Sequence, residues 1–123
     1  MDEMDKQKIF EMLKARKAHR AEVVFSGGND EGGVESVTLF GPGRKMTELK
    51  DLSKYNWETR QYECPDDDSV LYRLLEKPVD DEYGSFAGEY YVSGKIVFRT
   101  KTKEIVMEGE EEVSRSESFE RTL

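Results

Sequence analysis

The chain has 123 residues, 27 of them acidic and 19 basic, which gives a formal net charge of −8. This excess of negative charge excludes nucleic acid and anionic membranes as direct partners unless a local basic patch overrides the field. The single cysteine, Cys64, excludes an intrachain disulfide, and no apolar run reaches the ~20 residues of a membrane span, so we expect a cytoplasmic protein.

The N-terminal segment predicts an amphipathic helix over residues 3–20. Ile9, Met12 and Leu13 recur at helical spacing, and neither Gly nor Pro interrupts the segment. Acidic residues lie near its start and basic residues near its end, which is the arrangement that the helix dipole favours.

A first hairpin is predicted after this helix. Residues 21–26 (AEVVFS) and 34–40 (VESVTLF) have the composition of strands. Four glycines in the segment 27–33 (GGNDEGG) predict a flexible loop between the two strands. Pro42 ends the second strand, because proline lacks the backbone donor that a sheet requires.

The middle of the chain is the hardest part to interpret. Residues 44–64 fit either a short helix or an extended connector. They contain three aromatic residues, Tyr55, Trp57 and Tyr62, which we expect to cover one side of the core.

A second helix is predicted next. Pro65 and the three aspartates that follow it are typical of a helix entrance, with acids placed in the first turn. The apolar residues of VLYRLLEK supply a buried stripe at helical spacing. We expect this helix to stop near Pro78.

The last third of the chain predicts a second hairpin. Residues 95–100 (KIVFRT) and 104–108 (EIVME) form its strands, and Lys101-Thr102-Lys103 form its turn. The second of these strands is expected to continue through residues 110–113. Residues 114–123 would then add an edge strand or form a frayed tail.

The order of these elements predicts the fold class. Two hairpins and two helices favour an α+β domain over residues 1–123, with a mainly antiparallel sheet of four or more strands and both helices packed on one face. No strand-helix-strand alternation indicates a parallel nucleotide-binding sheet.

Two segments resemble a known family. Val23–Glu35 reads as a strand, a glycine-acid loop and a strand, and Gly94–Phe98 with Glu104–Glu108 forms a hairpin before a tail rich in Ser and Glu. Together they resemble a domain-of-unknown-function family of small acidic bacterial proteins, often encoded on mobile elements, over roughly half the chain. Residues 79–93 depart from that family, which has a more Asn-rich, Trp-bearing stretch there. The resemblance implies a bacterial or phage setting and no catalytic residue.

Acidic residues concentrate in the second half of the chain. Residues two apart in a strand share a face at a separation of about 6.5–7 Å, so Glu108, Glu110 and Glu112 are predicted to form a row of charges. That spacing is of the same order as the phosphate spacing of a nucleic-acid strand. The candidates for one continuous acidic surface are Asp66, Asp67, Asp68, Asp80, Asp81, Glu82, Glu108, Glu110, Glu111 and Glu112. The alternative is that these acids belong to solvated loops and protect a sheet edge.

The sequence does not carry a recognisable catalytic or metal-binding motif. Cys64 and His19 are the chain's single thiol and imidazole, and no third group is marked to orient the imidazole. The consecutive acids lack the spacing of a calcium-binding loop, and the glycine-rich segment lacks the Lys-Ser/Thr ending of a phosphate-binding loop. We therefore expect no cofactor and no metal.

These observations favour a non-enzymatic interaction protein, acting as a monomer or a small homo-oligomer. Its sharpest form is a phage or mobile-element inhibitor whose acidic face blocks a basic nucleic-acid-binding site on a host enzyme, in the manner of anti-CRISPR proteins. Phe86, Tyr90 and Tyr91 would then supply apolar anchors. The alternative is a small bacterial regulatory domain that binds a protein through an aromatic surface. An enzyme that uses carboxylates is the remotest of the three.

Overall fold

The computed structural model of the protein describes residues 2–84, 86, 90–112 and 116–123. In these residues the chain forms two α-helices, a six-stranded antiparallel sheet and a small two-stranded sheet, so the predicted α+β class is confirmed. The elements are α1 (Glu3–Ala15), β1 (Arg20–Gly28), β2 (Glu31–Phe40), β3 (Met46–Glu48), β4 (Lys54–Asn56), β5 (Gln61–Glu63), α2 (Asp67–Tyr83), β6 (Tyr91–Arg99), β7 (Glu104–Glu112) and β8 (Ser116–Thr122). The large sheet has the order β3-β2-β1-β6-β7-β8, and β4 pairs with β5.

Helix α1 ends at Ala15, earlier than the predicted end at residue 20. Its start is capped by the carboxylate of Asp2, which accepts a hydrogen bond from the N–H of Met4 at 2.8 Å. The helix stops because Lys17 adopts a left-handed backbone conformation with a φ of 56°. The chain then turns directly into β1.

Helix α2 begins where the aspartates predicted it. The carboxylate of Asp66 caps the helix by accepting a hydrogen bond from the N–H of Ser69 at 2.8 Å. The predicted stop near Pro78 is wrong, since the helix continues to Tyr83. Proline removes one hydrogen bond from the helix interior, but here its ring is buried beside Val79. Gly84, with a φ of 57°, follows the last turn.

The glycine-rich segment between the first two strands is not a flexible loop, so that prediction is wrong. β1 and β2 remain paired up to Gly28 and Glu31, and a two-residue turn joins them. Asn29 and Asp30 both have positive φ angles, 53° and 71°, as in the tight turns that match the twist of a hairpin. The N–H of Asp30 donates to the carbonyl of Phe86 at 2.9 Å, which attaches the turn to the segment after α2.

Both helices pack on one face of the large sheet, which we call the inner face; the opposite one is the outer face. Apolar residues of α1 and α2 share one core cluster with alternate residues of β1, β6 and β7. The inner-face core of the sheet includes Val23, Phe25, Val37, Ile96, Phe98, Ile105 and Met107. The outer face therefore carries the intervening, largely polar residues of the same strands.

The second hairpin forms around the predicted turn at residues 101–103, with longer strands than expected. β6 starts at Tyr91 and β7 continues to Glu112. Val113 and Ser114, at the boundary between the predicted strand and the predicted tail, lie outside the described residues. β8 follows and forms one edge of the large sheet.

Candidate functional site

The acidic residues of β7 lie as the strand pattern predicted. Glu108, Glu110 and Glu112 share the outer face, because they occupy alternate positions opposite Lys95, Ser93 and Tyr91 of β6. We call these three glutamates the acidic row. Glu111 points to the inner face instead and is not part of the row.

The remaining acids do not extend the acidic row, so the prediction of one continuous acidic surface is wrong. Residues 66–68 and 80–82 lie at opposite ends of α2, about 20 Å apart at 1.5 Å of rise per residue. Helix α2 packs on the inner face, whereas the acidic row lies on the outer face. In addition, the carboxylate of Glu82 pairs with the guanidinium of Arg121 on β8.

Some of these acids are also neutralised by neighbouring bases. The carboxylate of Asp68 lies 2.9 Å from the guanidinium of Arg16, and that of Glu108 lies 3.4 Å from the ammonium of Lys95. Hydrogen bonds from Ser69 lower the pKa of Asp66, which serves as the helix cap. Asp66, Asp68 and Glu82 thus have structural roles within the chain.

Two of the three predicted apolar anchors are directed away from solvent. Phe86 is 1% exposed and belongs to the core, so its assignment as a partner contact is wrong. Tyr90 is half-buried and packs against the same core, whereas Tyr91 lies on the outer face and is 47% exposed. Of the three, Tyr91 alone offers a largely accessible ring.

The burial of Phe86 follows from the glycines of the first hairpin. A Cβ atom on Gly27 or Gly32 would lie 2.4 or 2.8 Å from the ring of Phe86, so the ring fits because both positions lack a side chain. The ring also stacks on Tyr83 at 5.4 Å between centroids, and Tyr83 contacts Phe25 at 5.5 Å. We call Phe25, Tyr83 and Phe86 the buried aromatic cluster.

A second group of aromatic residues is exposed on the small sheet. Trp57 is 82% exposed, Tyr62 55% and Tyr55 37%. The expectation that they cover the core is wrong, because β4 and β5 pair with each other and not with the large sheet. We call this unit, residues 54–63 with its three rings, the aromatic hairpin.

The rings of the aromatic hairpin are in contact with one another. Tyr55 meets Trp57 edge-to-face at 4.6 Å between centroids and meets Tyr62 in the same manner at 5.1 Å. Tyr55 and Tyr62 are direct cross-strand neighbours. Within the turn, the side-chain oxygen of Asn56 accepts a hydrogen bond from the N–H of Glu58 at 2.9 Å. The three rings therefore form an ordered cluster.

Helix α2 supports the aromatic hairpin through one arginine. The guanidinium of Arg73 lies 3.3 Å from the ring centroid of Tyr62, within the range of a cation–π contact. Arg73 also pairs with Glu76 at 2.7 Å and with Asp51 at 3.8 Å. Burial raises the pKa of Glu76, and its attraction to Arg73 opposes that rise. These contacts hold the hairpin against α2.

A local signal in the sequence could have revealed the aromatic hairpin. Residues 54–56 (KYN) and 61–63 (QYE) each place one aromatic between two polar residues, on either side of a four-residue turn. That alternation is typical of a short hairpin with its aromatics on one face. What it does not indicate is whether this face is buried or exposed.

A shallow groove of about 510 Å³ runs beside α1 and the turn after β6. Its lining includes the apolar residues Met4 and Phe10 and charged residues of both signs, namely Glu3, Lys6, Glu11, Lys14 and Lys103. Burial raises the pKa values of Glu76 and Asp80, but neither carboxylate lines this groove.

The described residues contain neither a metal-binding cluster nor a membrane-spanning helix. In the described part of the chain, no group of three or more His, Cys, Asp or Glu residues is placed to hold a metal ion. None of the described helices is both long and apolar enough to cross a membrane. Comparison with family models, with curated proteins and with solved structures found no significant match.

Proposed function

We propose that the protein is a non-enzymatic interaction module that binds a partner protein through the aromatic hairpin. The observation that carries this proposal is Trp57, the single tryptophan of the chain, which is 82% exposed in an ordered cluster with Tyr55 and Tyr62. Tryptophan, tyrosine and arginine are the residues that most often dominate the energy of protein interfaces.

The size of the exposed rings and their contacts with one another favour binding to a partner. An aromatic side chain covers about 150–250 Å², which at ~25 cal/mol per Å² gives about 4–6 kcal/mol before the costs of association. Ordering flexible side chains is one of those costs, and contacts within the chain already hold the rings of Tyr55 and Tyr62. Covering the rings of Tyr55 and Tyr62 therefore yields more net affinity than covering mobile side chains of equal size.

The residues around the rings indicate the kind of partner. Lys54, Glu58, Arg60 and Glu63 are exposed around them and alternate in sign. A mixed polar rim around an apolar centre is typical of protein interfaces, and it favours a partner with an apolar pocket over a partner of uniform charge. Binding through this surface should depend weakly on salt.

Removing the ring of Trp57, and following its fluorescence, tests this proposal. Wild-type protein, Trp57→Ala, Tyr62→Ala and the control Tyr91→Ala would be used to capture proteins from a bacterial lysate. We expect the partner to be retained by wild type and Tyr91→Ala and lost from the two hairpin variants. Titration of the purified partner should then shift tryptophan emission to shorter wavelength, as Trp57 loses contact with water. Capture that survives both hairpin changes would refute the proposal.

A second candidate surface is the acidic row, for which the partner would be a basic protein surface such as a nucleic-acid-binding site on a host enzyme. It is favoured by the common outer-face position of its three glutamates and by Glu120 of β8, which lies directly opposite Glu108. Here Glu108→Lys with Glu110→Lys should abolish capture, and raised salt should weaken it steeply. The two candidates thus predict opposite responses to the same set of variants.

A further inference from the structure

The edge strand β8 leaves backbone hydrogen-bonding groups open. In the described residues β8 pairs with β7 on one side and with no strand on the other. The N–H of Leu123 donates to the carbonyl of Ile105 at 2.8 Å, which fixes the direction of the backbone groups along the strand. Odd-numbered residues direct both groups to β7, and Ser118, Glu120 and Thr122 direct theirs away from it.

We propose that this edge binds the same edge of a second copy of the chain, antiparallel, with the two-fold axis at Phe119. Ser118 would exchange backbone hydrogen bonds with Glu120 of the second copy, and residue 116 with Thr122. All four positions carry the outward-directed groups that such pairing requires. The two large sheets would then form one continuous sheet across the dimer.

The sequence of β8 selects this register. With the axis at Phe119, position 117 of one copy lies opposite position 121 of the other. The sequence places a glutamate at 117 and an arginine at 121, so two acid–base pairs form by symmetry. The two Phe119 rings lie opposite each other at the axis. An axis at Glu120 would oppose two like charges, and an axis at Ser118 would place Phe119 opposite a glutamate. The register at Phe119 alone matches apolar with apolar and acid with base.

Contacts within one copy already order two of the side chains that would meet, those of Phe119 and Arg121. Phe119 is half-buried and packs against the core. The guanidinium of Arg121 lies 4.9 Å from the ring centroid of Phe119 and also pairs with Glu82 of α2. These two side chains therefore have little freedom left to lose when the edges associate.

Sedimentation velocity over a dilution series tests the dimer. Wild type should approach twice the 14.2 kDa mass of one chain. Glu120→Pro removes an N–H that pairing with β7 does not use, so its far-UV circular dichroism should be unchanged. Its dimer should be weaker by about tenfold or more, since two symmetry-related backbone hydrogen bonds are lost. The control Glu120→Gln keeps the N–H and should remain a dimer.

A charge exchange tests the register. Arg121→Glu opposes acid to acid twice and should yield a monomer, and adding Glu117→Arg should restore the dimer. Neither variant retains the Arg121–Glu82 pair, so restoration of that pair cannot explain a rescue. Hydrogen exchange should slow at the amides of Ser118, Glu120 and Thr122 on dimerisation. A wild type that stays monomeric at the highest concentration, a Glu120→Pro dimer as tight as wild type, or a failed rescue overturns the proposal.

Discussion

The two groups of aromatic rings in this protein have similar geometry and opposite environments. Ring centroids are 5.4 and 5.5 Å apart in the buried aromatic cluster and 4.6 and 5.1 Å apart in the aromatic hairpin. The buried rings lie against a sheet in which glycines leave space for them, whereas the exposed rings lie on two short strands with polar neighbours. The surroundings of a ring, and not its type or its ring contacts, decide whether it stabilises the fold or is available to a partner.

The largest expected effect is the difference in unfolding free energy between removing a ring of the buried aromatic cluster and removing a ring of the aromatic hairpin. Phe86→Ala should lower the free energy of unfolding by about 3–5 kcal/mol, because it removes a ring from the core. Trp57→Ala should change it by no more than about 0.5 kcal/mol, because the ring is exposed. Urea denaturation followed by circular dichroism measures both, and equal losses would remove the distinction.

A smaller effect is expected from the glycines beneath the buried ring. Gly27→Ala should cost about 1–3 kcal/mol, since the added methyl group would lie 2.4 Å from Phe86. Gly41→Ala is the matched control, because its nearest atoms are 3.7 Å away and the backbone there is extended. If thermal unfolding of the two variants is alike, close packing does not explain the glycine at position 27.

The aromatic hairpin should respond to the loss of its support. Arg73→Lys keeps the charge but removes the planar group that stacks on Tyr62, which should cost about 0.5–1 kcal/mol locally. Trypsin cleavage after Arg60, followed by mass spectrometry, should then be roughly two- to fivefold faster, as that energy implies. Arg99→Lys, at an exposed pair with Glu104, should leave the rate unchanged. A cleavage rate that does not respond to Arg73→Lys would show that the hairpin is held by other contacts.

The smallest effect concerns Tyr83. Its hydroxyl is buried without a hydrogen-bond partner among the described residues, so Tyr83→Phe should stabilise the protein by about 0.5–1 kcal/mol. Burial, with a contribution from Glu111, raises the pKa of Tyr83 from 10.0 to about 12. Because the unfolded chain ionises first, wild type should lose stability between these two pH values. Tyr83→Phe should show a shallower loss when denaturation is measured across that range.

Local chemistry made several elements predictable from the sequence. Asp66 predicted the start of α2, and the turn at residues 101–103 predicted the second hairpin. The alternation of side chains along β7 predicted that the acidic row lies on one face. Each of these depends on residues close to one another in the chain.

Apart from the early end of α1 at Ala15, the errors depended on contacts between distant residues. The continuation of α2 past Pro78 depends on a core that buries the ring, and the tight turn after β1 depends on Phe86. The exposure of Trp57 depends on β4 and β5 lying apart from the large sheet. Composition could not distinguish a ring that covers the core from one that faces solvent, because both occur in short amphipathic segments.

The position of β1 has a consequence for how the chain reaches its native state. β1 pairs with β2 through a two-residue turn, but its other neighbour, β6, comes from the last third of the chain. Closing that long loop costs entropy before its contacts form, so this step should limit the folding rate. During synthesis, the backbone N–H and C=O groups along one edge of β1 would stay unpaired, and its apolar side chains incompletely covered, until β6 leaves the ribosome. Chains truncated before residue 99 should therefore aggregate.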